Sequence, residues 1–546
     1  MPDLRLVIPA VALWICCGVG IGVIGAMPVV AVCAGALATT ALLAAAWSGR
    51  RGRGARRSRG LAALAVALAA AALGAAAIGA QAPQRTDAVL DTAAQEKHRV
   101  EVAVRVESAP QRSAAGFDGV EHWRLRGTTV AAPADPHAAG AGDPDAVVGG
   151  GVPVSIVTPG DARSVRSYAL GAVITVQASV LLNEPGERTS YRLRASGAPV
   201  VHDAPPVWLA WAAPVRDAFA RSAASTPGDG GDLLPGLAIG DETAVSSGLD
   251  EAMKVSALSH LTAVSGANCA LVTGLVFLLA RSVGLGRRTR IVAAAAALAA
   301  FVALVGPGAS VLRAAAMATV VLVGLTRGRV ADGLPALALA VVVLLVHDPW
   351  LARDYGFALS ALATAGLLLL ARPLTAALTR WLPRGIALAL AVPLAAQLAC
   401  QPVLILLTPT IPLFGVPANL VAEPAAPVAT VLGCVACLLL PWAPALGQLV
   451  VWVAWLPSAW IALVARFSSD LPGAALPWPD GLLGLLLCAL TLVVVALVAV
   501  RRCLPRMLAS AATIALVGGV TTYAGALGGR EVGLAVSMPG DWRIAA

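Results

Sequence analysis

The chain alternates long apolar runs with short polar gaps, broken by one extended polar stretch near its N-terminus. Runs over 6–26, 27–48 and 60–80 come first. The first two are parted only near Met27-Pro28, which predicts a tight hairpin of spanning helices. With a single arginine, Arg5, ahead of it and another apolar run directly behind, the first run reads as an uncleaved span rather than a signal peptide. Ten more runs follow residue 255: 260–282, 290–306, 309–326, 333–347, 356–371, 386–408, 418–440, 445–466, 481–500 and 507–527. A helix needs roughly 20 apolar residues to cross the hydrocarbon, so the pattern predicts a polytopic α-helical membrane protein with roughly 13 spans. Several runs are short, and prolines crowd 393–427 (Pro393, Pro402, Pro409, Pro412, Pro417, Pro424, Pro427). Broken or re-entrant helices are expected there, because irregular backbone at membrane depth survives only where it lines a cavity or is buried in protein.

Segment 81–205 has a different period. Val100-Glu101-Val102-Ala103-Val104-Arg105-Val106 and Ala172-Val173-Ile174-Thr175-Val176-Gln177-Ala178 alternate every second residue, as strands do. Between them, 131–151 is rich in Ala, Gly, Pro and Asp and reads as a loop. A small β-barrel on the outer side is the expected fold. The chain thus divides into three N-terminal spans (1–80), the β domain (81–205), an interfacial, amphipathic connector (206–254) and a second membrane domain (255–530).

Composition agrees with this pattern: 58% of the 546 residues are apolar and only 13% charged, about half the charged share of a soluble chain. The formal charge of +9 suggests nucleic acid until its location is examined. Arg50, Arg51, Arg53, Arg56, Arg57 and Arg59 share one gap between spans, and Arg287, Arg288 and Arg290 another. Arg327 and Arg329, then Arg372, Arg380 and Arg384, then Arg501, Arg502 and Arg506 complete the set, with no acidic residue inside any group. That is the positive-inside signature of cytoplasmic loops. It places the N-terminus inside, and segment 81–205 and the C-terminus outside. Segment 81–205 itself holds 12 basic against 14 acidic residues, too balanced to attract a polyanion strongly. None of the nine cysteines lies within it, so no disulfide framework is expected, and Cys434-x-x-Cys437, in an apolar helix without histidine or carboxylate neighbours, reads as packing. No metal or cofactor is expected.

Polar side chains inside spans cost about 2.5–3.5 kcal/mol each at the membrane centre when charged, which makes them functional candidates. In Leu258–Asn268 (L-S-H-L-T-A-V-S-G-A-N), helical spacing puts Ser256, His260, Val264 and Asn268 on one stripe, with Ser265 beside it and Ser265-Gly266 able to loosen the helix. Arg313 sits about one turn beyond a Gly306-Pro307-Gly308 break. Asp354 and Ser360 open the next polar run, Gln397 and Gln401 lie one turn apart, and Asn419 and Glu423 follow in 412–424. His260, Asn268, Arg313, Asp354, Asn419 and Glu423 share the outer half of the membrane in this topology. Their convergence predicts a polar cavity open to the outside.

These motifs resemble the ComEC family, the membrane channel proteins of bacterial natural transformation. The similar stretches run in the family's order: L-L-P-G-L-A-I-G-D (233–241), L-S-H-L-T-A-V-S-G-A-N (258–268), the Arg313 helix, Y-G-F-A-L-S-A-L-A-T-A-G-L (355–367) and P-L-F-G-V-P-A-N-L-V-A-E-P (412–424). The resemblance spans about 230–500, and by position it makes the β segment an OB-like domain. Three differences stand out. Asn268 occupies the place where the family usually has histidine, and the β segment has few aromatics (Phe117, Trp123, Tyr168, Tyr191) for base stacking. The chain also ends P-G-D-W-R-I-A-A, similar to the start of the metallo-β-lactamase-like domain that many members carry, so 531–546 is expected to begin a missing domain and the chain to lack nuclease activity.

The resemblance implies a channel moving single-stranded DNA inward through the lipid bilayer of the cytoplasmic membrane. His260, Ser265, Gly266, Asn268, Arg313, Asp354, Ser360, Gln397, Gln401, Asn419 and Glu423 would line the path. Implied partners are a DNA receptor and a cytoplasmic ATPase or helicase. The alternative is a transporter of a small or lipid-linked solute sharing the fold. An intramembrane hydrolase using His260 and Ser265 is disfavoured, since five helical residues set the two about 140° apart.

Overall fold

The structure, a computed structural model, describes residues 5–50, 55–113, 121–131, 148–184, 186–262, 266–306, 308–326 and 333–499. The chain forms a mostly helical membrane protein with a small five-stranded barrel inserted after the third helix.

Helices α1 (Val7–Gly20), α2 (Met27–Arg50) and α3 (Ala55–Gln81) form from the first three apolar runs. The chain reverses at Ile21–Ala26, a 3₁₀ turn in which Val23 leaves helical geometry. The expected hairpin of α1 and α2 is not self-contained, because α3 packs against both. Small residues on α3 permit this. A Cβ on Gly74 would fall 2.6 Å from Leu13 of α1, one on Gly79 would touch Pro28 of α2, and Cys16 Sγ donates to the Ala71 carbonyl at 3.2 Å.

The barrel strands are β1 (Arg99–Val106), β2 (His122–Thr129), β3 (Pro153–Pro159), β4 (Val173–Leu182) and β5 (Tyr191–Ala195). β1 pairs antiparallel with β2 and β2 with β3. β3 runs parallel to β5, β5 pairs antiparallel with β4, and β4 returns to β1 through seven registered positions from Arg99↔Ser179 to Arg105↔Val173. The two alternating runs recognised in the sequence are thus the pair that closes the barrel, which leaves no open edge among the five strands. Trp123, Leu125, Val154, Ile156, Ile174, Val176, Tyr191 and Leu193 fill its interior. The intervening positions point outward, as the two-residue period requires. Most of the predicted loop 131–151, residues 132–147, lies outside the described residues.

The stretch 206–254 differs from the interfacial connector expected. Short helices Val207–Ala210, Ala212–Ala223 and Ser247–Val255 flank α4 (Gly228–Ile239), whose side chains from Leu233 to Ile239 are all buried. Its partners are membrane helices: Thr430 Oγ1 donates to the Leu237 carbonyl at 3.0 Å and Ser458 Oγ to the Gly230 carbonyl at 2.7 Å. Small residues are what let α4 sink between larger neighbours.

The second membrane domain comprises α5 (Gly266–Ser282), α6 (Arg287–Val305), α7 (Ala309–Thr326), α8 (Gly333–His347), α9 (Tyr355–Leu378), α10 (Arg384–Leu407), α11 (Gly415–Ala422), α12 (Ala426–Leu439), α13 (Pro444–Ser469) and α14 (Gly481–Ala499). Among the described residues seven helical segments are long and apolar enough to cross a membrane: Val7–Ser48, Gly60–Arg85, Arg287–Val305, Tyr355–Leu378, Arg384–Leu407, Gly415–Leu439 and Pro444–Ser469. Asn268–Ser282, Ser310–Val323, Gly333–His347 and Gly481–Thr491 are apolar but shorter. Each of these shorter helices adjoins residues outside the described set, so seven full-length crossings appear among the described residues against the thirteen expected spans. The last expected span, 507–527, lies outside the described residues.

Helices α9 and α10 cross at Gly366, where a Cβ would lie 2.5 Å from Ala399 Cβ and 2.8 Å from the Ala395 carbonyl oxygen. Gly385, with no atom within 4 Å of its Cβ position, is the internal control. Gly366→Val is expected to cost about 1–3 kcal/mol through overpacking. It should lower the thermal midpoint of the detergent-purified protein by several degrees, while Gly385→Ala leaves it unchanged.

Candidate functional site

The centre of the membrane domain is Arg313, in the second turn of α7 and only 4% exposed. Its guanidinium reaches across to α9. Nε and Nη2 donate to Ser360 Oγ at 3.0 and 2.6 Å, and Nη1 donates to Thr364 Oγ1 at 2.9 Å and Met317 Sδ at 3.3 Å. Thr364 follows Ser360 by one helical turn, so both hydroxyls share the face of α9 turned toward α7. On the third side stands α5. A Cβ on its first residue, Gly266, would lie 3.2 Å from Arg313 Nη2 and 3.4 Å from Ala314 Cβ, so glycine lets the N-terminus of α5 close over the cation. No carboxylate pairs with Arg313 among the described residues; its partners are two hydroxyls and a thioether. A buried cation is thereby hydrogen-bonded without being neutralised.

A second cluster sits where the expected stripe of Ser256, His260, Val264 and Asn268 breaks up. The helix does not run through. Helix Ser247–Val255 ends, Ala257 takes a left-handed conformation (φ 58°), helical residues resume at Ser259–Thr262, and α5 is described from Gly266 on. Ser256 Oγ instead bonds back to the Ala252 carbonyl at 2.7 Å. The left-handed turn presents the Ala257 carbonyl as a shared acceptor: His260 Nδ1 lies 3.1 Å away and Asn419 Nδ2, from α11, 3.5 Å away. Asn419 also donates to the Gly415 carbonyl at 2.8 Å. Gly236, Glu242 and Thr262 lie together nearby, bringing the 233–241 and 258–268 motifs into contact. The two clusters flank residues 263–265, so Ser265 lies outside the described residues. Half-buried Asn268 is in the first turn of α5, beside the Arg313 cluster in sequence.

The remaining candidates do not join these clusters. Asp354 caps α9, accepting from the Phe357 amide at 2.7 Å, which is a structural role. Gln397 and Gln401 bond to each other on α10, and Gln401 reaches the Thr410 carbonyl at 3.5 Å. Glu423 opens a short 3₁₀ turn between α11 and α12, half-buried and without an ion pair among the described residues. The single cavity expected from shared depth is thus resolved into an Arg313–Ser360–Thr364–Gly266 group and a His260–Ala257–Asn419 group. Thr364 and Met317 were not singled out in the sequence; their i+4 offsets from Ser360 and Arg313 were the available signal.

The barrel is latched to the membrane domain at two places. Arg166, from a short helix between β3 and β4, donates through Nε to Thr243 Oγ1 at 2.8 Å and lies 3.4 Å from buried Asp241, the last residue of the 233–241 motif. On the other side Arg188 pairs with Asp348 at 3.2 Å, Arg85 stacks 3.8 Å over Trp350 and donates to the Arg188 carbonyl at 2.6 Å, and the Arg353 side chain lies against Gly186 of the barrel.

Both latches and both clusters involve a segment that matches a known family. Residues 237–520, more than half of the chain, match the family described as Competence protein. The chain belongs to that family. Over 144 residues it is 31% identical to ComE operon protein 3 of Bacillus subtilis (strain 168), a match covering 26% of this chain and 18% of that protein. The chain therefore aligns with well under two thirds of that relative's length. No solved structure matches the chain.

Arg313 lends itself to a stability test. A residue kept for folding destabilises when removed, whereas an unneutralised buried cation kept for function does not, and apolar replacement of buried charges is often neutral or stabilising. Arg313→Met should keep or raise the thermal midpoint of the purified protein, since Ser360 Oγ can turn back to a helix carbonyl. A fall of several degrees would make Arg313 a structural residue.

Proposed function

We propose that the chain takes part in competence DNA uptake by passing single-stranded DNA across the cytoplasmic membrane, along a path that includes Arg313, Ser360, Gly266 and Asn268. Family membership supports the uptake role. The observation that carries the path is the buried Arg313 guanidinium, bonded among the described residues only to neutral groups. A phosphate entering a low-dielectric region loses hydration worth many kcal/mol, and a fixed cation without a counter-charge offsets part of that loss. Neutral hydroxyl partners matter as much as the charge. They hold the guanidinium in place without competing carboxylates, so a phosphate can bind and leave, as conduction requires.

In this reading the N-terminus lies inside and the barrel outside, with the arginine groups 50–59, 287–290 and 372–384 in cytoplasmic loops. The barrel, whose Greek-key wiring joins β3 to β5 in parallel, acts as an OB-type domain before the membrane. A DNA receptor upstream and a cytoplasmic ATPase or helicase drawing the strand inward complete the machine. His260, Asn419, Glu423, Gln397 and Gln401 border the path rather than hold the phosphate.

In a transformable strain lacking its own copy, Arg313→Ala should reduce uptake of labelled DNA by at least 100-fold while the protein still reaches the membrane, and Arg313→Lys should recover part of it. Wild-type uptake by a stably inserted Arg313→Ala variant would refute the path.

A further inference from the structure

The net charge of the β segment conceals how its charges are sorted. Two strands carry the same four-residue pattern, Trp123-Arg124-Leu125-Arg126 on β2 and Tyr191-Arg192-Leu193-Arg194 on β5. In each, the aromatic residue and the leucine are fully buried in the barrel, so the arginines point outward. β3 lies between these strands, and its register aligns them: Arg124↔Val157↔Arg194 in one row and Arg126↔Ser155↔Arg192 in the next. Residues registered across a sheet share a face, so four arginines form a two-by-two array on the outer wall. At ordinary sheet spacings the array measures about 7 Å along the strands and about 10 Å across them.

The array has a direction. Arg124 and Arg194 are exposed, whereas Arg126 and Arg192 are half-buried. The half-buried row lies toward the junction with the membrane domain. Arg126 is close enough to Arg188, Asp348 and Asp354 to feel their charges, and burial first, then Arg188, holds its pKa below the usual arginine value. The acids facing this region among the described residues are Asp354, Glu107, which accepts from Thr128 Oγ1 at 2.9 Å, Glu187, 3.6 Å from Arg192, and Asp348, which is taken by Arg188. Arg124 and Arg194 have no ion pair among the described residues, and the buried Nε of Arg192 lacks an acceptor. Cation density therefore exceeds its local neutralisation, and the spare charge is concentrated at the exposed row. The aromatic rings of the two patterns point inward, so bases gain no stacking surface from them.

We infer that this arginine array binds the phosphate backbone of single-stranded DNA on the barrel wall, without base stacking, and hands it to the barrel–membrane junction at Arg188 and Arg353. The inference builds on the DNA-uptake reading but concerns a surface remote from Arg313. Phosphate contact without stacking makes binding indifferent to sequence and steep in salt.

The test uses the full chain in nanodiscs of zwitterionic lipid and a labelled thymidine oligonucleotide, with affinity read by anisotropy across a salt series. Arg124→Gln/Arg194→Gln should weaken binding about tenfold at low salt and flatten the slope of log affinity against log salt by about 1.4, two contacts at about 0.7 each. Arg124→Lys/Arg194→Lys should retain the slope, and an adenosine oligonucleotide should behave like the thymidine one. An unchanged slope in the glutamine pair would overturn the inference. So would an equal loss in Lys97→Gln/Arg99→Gln, which removes the same charge elsewhere on the barrel. An effect seen only with anionic lipid in the discs would assign the array to headgroups and also overturn it. Arg313→Ala should leave this binding intact, so the array and the membrane path fail separately.

Discussion

Backbone amides and carbonyls inside lipid have no water to bond, so every departure from helix there must be satisfied by protein. Most of this structure follows from that constraint. The described helices break at Ala257, at Gly306 (φ 99°, a left-handed value that suits glycine) and between Thr408 and Gly415. Two of these breaks border the polar clusters. The freed Ala257 carbonyl is met by His260 and Asn419, and Gly266 of α5 lies against Arg313. The polar residues and the irregular backbone are one feature, since each supplies what the other lacks.

Arg313 shows the same economy in reverse. Hydroxyls one turn apart on α9 satisfy its hydrogen bonds and leave its charge whole. A carboxylate partner would have cancelled that charge. The barrel arginines follow a comparable logic in water, where packing decides only which way each side chain faces. Inward Trp123, Leu125, Tyr191 and Leu193 stabilise the core, and their alternation with arginine is enough to sort charge onto one wall. The latches of Arg166 to Asp241 and Arg188 to Asp348 then hold that wall over the membrane helices.

Much of this was legible in the residues alone. Apolar runs located helices to within a few residues, because hydrophobic length and period report local burial directly. The runs 100–106 and 172–178 announced strands, and the motifs at 258–268 and 412–424 meet where His260 and Asn419 share the Ala257 carbonyl. Depth was less reliable than contact: Asp354 shares the outer half with Arg313 in the expected topology, yet it caps a helix and touches none of the cluster. The balanced charge of 81–205 is a sum and carries no position, whereas register places Arg124, Arg126, Arg192 and Arg194 on one wall.

The sequence by itself determined the class of molecule, the helix positions, the strand period and the family, because each depends on composition or on order along the chain. Only the tertiary structure decided which polar groups meet. Ser360 and Thr364 lie 47 and 51 residues from Arg313, and β3 sets Arg124 opposite Arg194 across 70 residues of chain. Those pairings follow from helix crossing and strand register, which are properties of packed surfaces and have no counterpart in spacing along the chain.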